Sequence, residues 1–497
     1  MEQVACALNL KLIAANTHKD LINKYKALYT DEERVVFTLN VMLEYNIIPQ
    51  CCKNEKSAKE SEKLREQGNK VFVSKPLETG TCLKALKLYT ESIAYAPYPS
   101  EQLALAYANR SAVLMKVHKY ELCIDDIDRA LTLTYPDNLR EQSWANIPCN
   151  YCTYAMYCSE ECKAMEWTKY HDAECAVFPS MLKMNFGKID LLSLRLAIQA
   201  VREATSIEEL RKELKEVDSW DDPRTKGFCK NGIFASDKYR SLLGLVTNTE
   251  KRSVQDLFRR SLDASFILYF LATCTNMFGS PLQKDLSMLI KNVDVTFVGG
   301  LILRHQQMIP SNVHSFSEER DLGVVERGTA VMPFLSLINH SCSPNVSRHS
   351  RSKHIVMYAI YPIEKGEQIF DNYGQHYAIT PRNERQKRLL KQYYFECNCL
   401  PCQEDWPLYY NLKSFTSLVK KKEDEIKIIH ALQKMNKYVD IATEGNILDE
   451  NIVDGLLKMI EVLYDLVPMP CEEMNDVVET LRRVYDLSGN RVEKLEL

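Results

Sequence analysis

None of the sixteen glycines in this chain of 497 residues is followed two places later by another. The chain therefore lacks a Gly-x-Gly turn, the device that lets backbone approach a bound cofactor closely. Positive charge is not in excess either: 63 Lys and Arg against 67 Asp and Glu leave a net charge of −4. That excludes an overall basic field for nucleic acid, so DNA binding is not expected as the main role, and only a local basic face stays open. The longest apolar run, near FILYFLATC at 266–274, is far too short to cross a bilayer. The first residues, MEQVACALNLKLIAAN, carry Glu2 and place Lys11 inside their apolar part, so a cleaved signal is not expected. What is present is ordinary for a soluble globular protein, with 45% apolar and 26% charged residues. The length suits several domains of about 100–200 residues each.

Cysteine is abundant. There are seventeen, and many fall in two tight clusters with the spacings C-x2-C, C-x3-C and C-x-C-x2-C. Such spacings put thiolates within reach of one metal ion. Without a secretory signal they read as zinc sites in a reducing compartment rather than as a disulfide framework.

Residues 1–58 read as helical and carry no usable motif. Residues 59–136 carry a repeat: LREQGNKVF and ALKLYTESIAYAP make one unit, interrupted by an insertion around Lys75–Thr81, and LAYANRSAVLMKVHKYELCIDDIDRALTLTYP makes the next. Small residues Gly68, Ala85 and Ser92 answer Ser111, Cys123 and Ala130, and Pro97 answers Pro136. The pattern resembles tetratricopeptide (TPR) units, helix pairs whose small residues let helices approach closely. Two units rarely stand alone, so they are expected to lean on neighbouring surface. Arg65, Asn69 and Asn109 sit where some TPR domains clamp a C-terminal carboxylate, but the third unit of such a clamp is missing. Residues 179–310 carry long amphipathic patterns read as helices. HIVMYAIYPIEKGEQIFDNYG, at 354–374, has β-branched runs broken at Lys365-Gly366 and reads as two strands. The chain from 411 to 497 is helical again.

In the first cluster, Cys149-x2-Cys152 and His171-x3-Cys175 can make a tetrahedral Cys3His site. Cys158-x3-Cys162 is a further half-pair, one turn apart at a helix start. The run CxxC…YCSxxCxxxxW…H…C resembles a MYND zinc finger. That family has two interleaved sites, the first CxxC sharing a metal with the C-x3-C pair and the second sharing one with His and the last Cys. Here the first CxxC is absent, which leaves Cys158 and Cys162 as an incomplete site.

NHSCSPN at 339–345, GEQIFDNYG at 366–374 and YYFECNCLPC at 393–402 follow in that order. Together they resemble the SET domain of protein-lysine methyltransferases. With the finger and the repeat, residues 59–410 resemble the SET- and MYND-domain family in its TPR-bearing form. Cys397, Cys399 and Cys402 offer three thiolates and need a fourth, and Cys342 is the natural donor; the resemblance implies that it ties the SET core to a post-SET zinc site. A lone buried histidine is ordinarily a satisfied core residue. Beside Asn339 and Cys342, the resemblance implies instead that His340 lines the pocket of S-adenosylmethionine together with Asn339, Asn312, Ser336, Tyr373 and Phe395. It implies too that the methyl group crosses at Tyr373 and that Tyr393 walls the lysine channel. A free lysine, with a pKa of about 10.4, must first lose its proton. A sulfonium and an apolar channel both favour that loss, after which alignment is the main need.

The expected architecture is α+β and multidomain: an N-terminal helical segment (1–58), TPR-like repeats (59–136), a partial MYND finger (145–178), a helical insert (179–310), a partial SET β-core (311–395), a post-SET zinc site (396–410) and a C-terminal helical domain (411–497). The family's SET domain begins before the finger, with strands bearing a Gly-x-Gly turn, and the stretch from Pro136 to Cys149 cannot hold them. One internal deletion accounts for the lost lobe and the lost CxxC together, and sheet edges that paired with the lobe would be bare. The expected function is transfer of a methyl group from S-adenosylmethionine to lysine in histones or other proteins, with zinc as structural metal. The alternative is a catalytically impaired adaptor or transcriptional co-regulator holding partner peptides through the finger and repeats. A monomer in nucleus and cytoplasm is expected, with no membrane and no sequence-specific nucleic-acid partner.

Overall fold

Serines set where several helices start. Ser57, Ser100 and Ser159 each take an extended conformation and accept a backbone N–H three residues on, from Glu60 (3.2 Å), Leu103 (3.2 Å) and Cys162 (3.1 Å). Each satisfies a donor that the first helical turn leaves open. These elements belong to a computed structural model that describes residues 1–53, 55–74, 78–132, 147–157, 159–222, 225–320, 323–351, 354–445 and 451–489. The chain forms two units, one of 1–219 with 252–307, the other of 220–251 with 308–492.

In the first unit, helices Glu2–Ala14, His18–Lys26 and Asp31–Glu44 precede two helix hairpins, Ala58–Phe72 with Thr79–Tyr95 and Glu101–Lys116 with Tyr120–Thr132. The hairpins are consistent with TPR-like repeats, and the small residues explain their closeness. A Cβ on Gly68 would stand 2.5 Å from the Tyr89 ring. Ser61 and Ser92, both buried, bond across the first pair at 3.0 Å. A buried Arg110–Asp126 ion pair (2.7 and 2.8 Å) fastens the second pair; its partners are sixteen residues apart, beyond the reach of helical periodicity. Helix Thr79–Tyr95 already contains Thr79–Thr81, so the expected insertion there is shorter than Lys75–Thr81, and Pro136 lies outside the described residues. Strands β1 (Ile147–Pro148) and β2 (Met156–Tyr157) pair antiparallel. Helices Glu160–Glu166, Asp172–Lys183, Lys188–Glu203, Ile207–Asp218 and the buried Val254–Cys274 follow.

The second unit carries the site. Among its described residues, segment 220–251 has one regular helical turn, Arg240–Leu243, besides a 3-10 turn at Thr249–Lys251. Strands β3 (Val313–Arg320) and β4 (Gly323–Val331) form an antiparallel hairpin with a bulge at Phe316/Ser317. Strand β5 (Asn339–His340) pairs in parallel with β8 (Phe370–Asp371), and β6 (Val346–Arg351) pairs antiparallel with β7 (His354–Ala359). The two strands expected in 354–374 are β7 and β8. Helix Arg382–Tyr393 follows, and helices Phe415–Leu418, Lys422–Ala431, Met435–Glu444, Ile452–Leu466 and Glu472–Leu487 pack around Ile428, Leu456, Leu463, Val477 and Leu481. Tyr358 of β7 stacks on Tyr485 at 4.1 Å, and Ser347, His349 and Asp486 form a hydrogen-bonded line (2.8 and 2.7 Å) that fastens β6 to the last helix. Among the described residues no strand precedes Ile147, every sheet is two-stranded, and no helix is long and apolar enough to cross a membrane.

Candidate active site and metal centres

The spacing C-x2-C brings Cys149 and Cys152 to one side of the β1–β2 turn. A π-helical turn at Trp167–His171 then delivers His171 and Cys175 to the same point. The extra residue in such a turn re-aims a side chain that α-helical winding would place elsewhere. The four ligand atoms all lie within 4.8 Å of one another and all four residues are buried. Cys149 Sγ is 3.8 Å from Cys175 Sγ, and Cys152 Sγ is 3.5 Å from His171 Nε2. Zinc at about 2.3 Å from each sulfur would set tetrahedral sulfurs about 3.8 Å apart, so this donor set fits that ion. His171 turns Nδ1 toward Glu174 (3.6 Å), a fully buried carboxylate gripped by Arg195 at 2.7 and 2.9 Å. A carboxylate behind a ligating imidazole fixes its orientation. Cys162, in the first turn of helix Glu160–Glu166, packs against the apolar cluster that holds these cysteines but is not one of the four converging ligands, and Cys158 lies outside the described residues.

The second centre joins residues far apart in the chain. Cys342 follows β5, and Cys397, Cys399 and Cys402 follow helix Arg382–Tyr393. Cys342 Sγ lies 4.0 Å from Cys397 and 3.6 Å from Cys402, and Cys397 lies 3.4 Å from Cys399. All four sulfurs fall within 4.8 Å of one another, again close to the tetrahedral zinc edge. Thiols this close share protons: Cys342 and Cys397 hold Cys399 well below the usual thiol range, while Cys397 and Cys399 push Cys342 well above it. Beneath them lies Arg385, fully buried, donating to Thr380 O (2.7 Å) and to Cys402 Sγ (3.6 Å). Its charge offsets the thiolates. Spacing gave no signal for Arg385 or Glu174, because each acts on a ligand it meets only through packing.

Between this centre and the β5–β8 pair is a cavity of about 1040 Å³. Asn312, Ser336, Asn339, His340, Tyr373, Tyr393 and Phe395 all line it. The helix ending at Tyr393 is capped by Tyr394 in the left-handed region (φ 62°), which turns the chain and sets Phe395 beside Tyr393. Tyr373 and Tyr393 rings are 4.7 Å apart, and His340 lies 5.2 Å from Tyr373 and 6.1 Å from Phe395. The Tyr373 hydroxyl donates to Ile338 O at 2.6 Å. Burial foremost, with the Asp371 charge adding to it, pushes that phenol up to about 12, so it stays neutral. Asn312 spends both amide hydrogens on Met308 O (2.8 Å) and Val246 O (3.2 Å). The Ser336 hydroxyl is engaged by His314 (3.0 Å) and Met332 O (3.0 Å). These two therefore shape the wall, and the exposed Asn339 side chain with the three aromatic rings remains for a ligand. A flat heterocycle carrying a cationic centre suits such a lining.

Comparison with known proteins agrees with this geometry. The SET domain family model matches residues 40–374, more than half of the chain, beginning upstream of the finger and ending just after Tyr373. Protein-lysine N-methyltransferase SMYD4 of Mus musculus is 28% identical over 304 residues, covering 52% of this chain and 37% of that protein. SMYD4 of Danio rerio is 22% identical over 512 residues, covering 71% of this chain and 66% of its own length. Histone-lysine N-methyltransferase SMYD3 of Mus musculus is 32% identical over 116 residues, 23% of this chain and 27% of that protein. The chain thus spans 37% of the mouse and human SMYD4 proteins that it matches. The family match, the two thiolate centres and the aromatic cavity beside the β5–β8 pair agree: this chain belongs to the SET-domain family, among its SET- and MYND-domain methyltransferases.

Proposed function

We propose that the chain binds S-adenosylmethionine in the 1040 Å³ cavity and serves methyl transfer to lysine side chains of proteins, histones among them. The observation that carries this reading is the convergence of Tyr373, Tyr393, Phe395 and His340 on one cavity whose floor is the Cys342 centre. When bound, the cofactor supplies an electrophilic methyl group on a sulfonium. The chain's own residues do the rest. Asn339 and the Phe395 face hold the cofactor, and Tyr393 and Tyr373 present apolar surface that disfavours a charged ammonium in the channel. Tyr373, neutral and tethered to Ile338, positions the reacting groups and does not act as a base. Zinc at both thiolate centres is structural in this reading, because all four ligands come from protein. Reduced thiols fit a nuclear and cytoplasmic protein.

A second reading, an adaptor that holds partner peptides through the finger and the helix hairpins, is favoured by one observation. Among the described residues before the finger there are only helices, so the strands expected to complete the cofactor lobe are not among them. Calorimetry with S-adenosylmethionine separates the two. Saturable binding that survives Tyr373→Phe, with methyl transfer to a protein acceptor falling at least tenfold in that variant, supports the enzyme. Absence of binding in a correctly folded, zinc-loaded chain sinks it for this form.

A further inference from the structure

Outside both thiolate centres and the cavity, two more thiols meet in the first unit. Cys51 lies in the segment joining helices Asp31–Glu44 and Ala58–Phe72, and Cys274 is the last residue of helix Val254–Cys274. Both are partly exposed. The Thr273 hydroxyl sits 3.6 Å from Cys51 Sγ and 3.7 Å from Cys274 Sγ, so one oxygen touches both sulfurs. That hydroxyl donates to Tyr269 O at 2.8 Å, so its oxygen faces the sulfurs as an acceptor. The segment is anchored there, because the Cys52 N–H donates to Ser180 Oγ at 2.8 Å. The methyltransferase reading gives this pair no task.

We propose that Cys51 and Cys274 are a peroxide-responsive modification site, oxidised to a disulfide that ties the segment before the helix hairpins to helix Val254–Cys274. The Cys51 thiolate attacks the O–O bond of a hydroperoxide. An S–O bond forms, the O–O bond breaks, and the departing oxygen leaves as water or alcohol after taking a proton. Cys274 then gives up its proton and attacks the sulfenic sulfur of Cys51. The S–S bond forms, the S–O bond breaks, and water leaves. Two thiols are oxidised and one hydroperoxide is reduced.

The two sulfurs are not equivalent, which assigns their roles. The neighbouring Cys274 thiol foremost, with Thr273 and Lys284, outweighs burial and brings Cys51 down to about 6, while Cys51 drives Cys274 well above the usual thiol range. Lys284, Tyr269 and Asp285 are the other titratable groups in this neighbourhood. Cys51 is thus the attacking thiol and Cys274 the resolving one. Buried Cys82 and Cys123 contrast with them: burial pushes both thiols up, the inert condition.

The test uses the full zinc-loaded chain, brief exposure to hydrogen peroxide, rapid alkylation, and proteolysis without reductant. Mass spectrometry is expected to find a peptide cross-linked through Cys51 and Cys274 that thiol reductant separates. It should form about tenfold more slowly at pH 5 than at pH 7, as the thiolate fraction of Cys51 falls. In Cys274→Ser, dimedone should label Cys51 instead. The proposal is overturned if both thiols stay reduced in the wild-type chain while cysteines of the zinc clusters oxidise, or if Cys51 pairs with any other cysteine. The wild-type cross-link decides the matter even if the variant does not fold.

Discussion

His340 accepts the backbone N–H of Tyr373 on Nδ1 at 3.0 Å and presents Nε2 to Cys342 Sγ at 3.4 Å. A ring that accepts at Nδ1 carries its hydrogen on Nε2, so it donates to the cysteine sulfur. One neutral side chain therefore joins the second thiolate centre to the aromatic cavity, and the order of one depends on the other. The histidine is neither a free cofactor ligand nor passive filling; it sets where Tyr373 stands.

Removing that bridge should be felt at the metal. His340→Ala deletes the donor to Cys342 and leaves the Tyr373 amide without its acceptor. Loss of such an outer partner typically costs about 10–100-fold in metal affinity. Competition with a chromophoric chelator should show that weakening for one zinc per chain, with the Cys149 centre unchanged. Equal weakening of both centres would refute the link.

Among the described residues the two complete ligand sets call for two zinc ions, and Cys342→Ser should leave one of these sets filled. Arg385 should matter as much as a ligand. Truncating a buried, paired charge costs about 3–5 kcal/mol, so Arg385→Ala should lower the urea midpoint of the second unit sharply. Arg385→Lys keeps the charge but loses the fork that reaches both Thr380 O and Cys402, and should recover only part of it. Elemental analysis and urea titration check these outcomes; full stability in Arg385→Ala would dismiss the buried cation as a partner of the thiolates.

Asn312→Ala distinguishes wall from ligand. Its amide hydrogens already serve Met308 O and Val246 O. Leaving those carbonyls unpaired should cost about 1–3 kcal/mol of stability. Cofactor affinity by calorimetry should stay within about threefold, whereas Asn339→Ala should lower affinity and spare stability. The reverse pattern would restore Asn312 as a direct contact.

The parts of this site legible in the sequence were those fixed by short covalent spacing. Cys149-x2-Cys152 and Cys397-x-Cys399-x2-Cys402 must bring their sulfurs together whatever the rest of the chain does. The helix hairpins were legible because Gly68, Ala85 and Ser92 recur where helices touch, and the β7 strand because its apolar run is broken by a glycine turn. What was not legible depends on distance in sequence closing in space. Arg385 reaches Cys402 seventeen residues on, Glu174 is clamped by Arg195 from the next helix, and Asn312 has one amide hydrogen taken by a carbonyl sixty-six residues upstream. None of these has a local pattern, since an arginine or asparagine on a helix reads as a solvated face until the partner is seen.

Acid should weaken the second unit through His314. The ring is buried, bonded at Nε2 to Ser336 (3.0 Å) and faced at Nδ1 by Arg348 (3.0 Å). Burial first, and the Arg348 charge second, bring it from 6.5 down to about 4. The unfolded chain therefore takes up the proton first as pH falls. The stability that His314 contributes is complete above about 6.5, declines between 6.5 and 4, and is gone below 4. That interval corresponds to about 3 kcal/mol. His376, brought down to about 3 chiefly by burial, acts with the same sign. Asp263 in the first unit acts with the opposite sign. Burial raises it from 3.8 to about 6, so the folded form keeps its proton longer and that contribution fades as pH rises through 6. Urea titrations from pH 7 to pH 4.5, followed by a probe confined to the second unit, should show stability falling with acid, with a shallower fall in His314→Gln. A slope that His314→Gln leaves unchanged would mean that this ring titrates alike in the folded and unfolded chains.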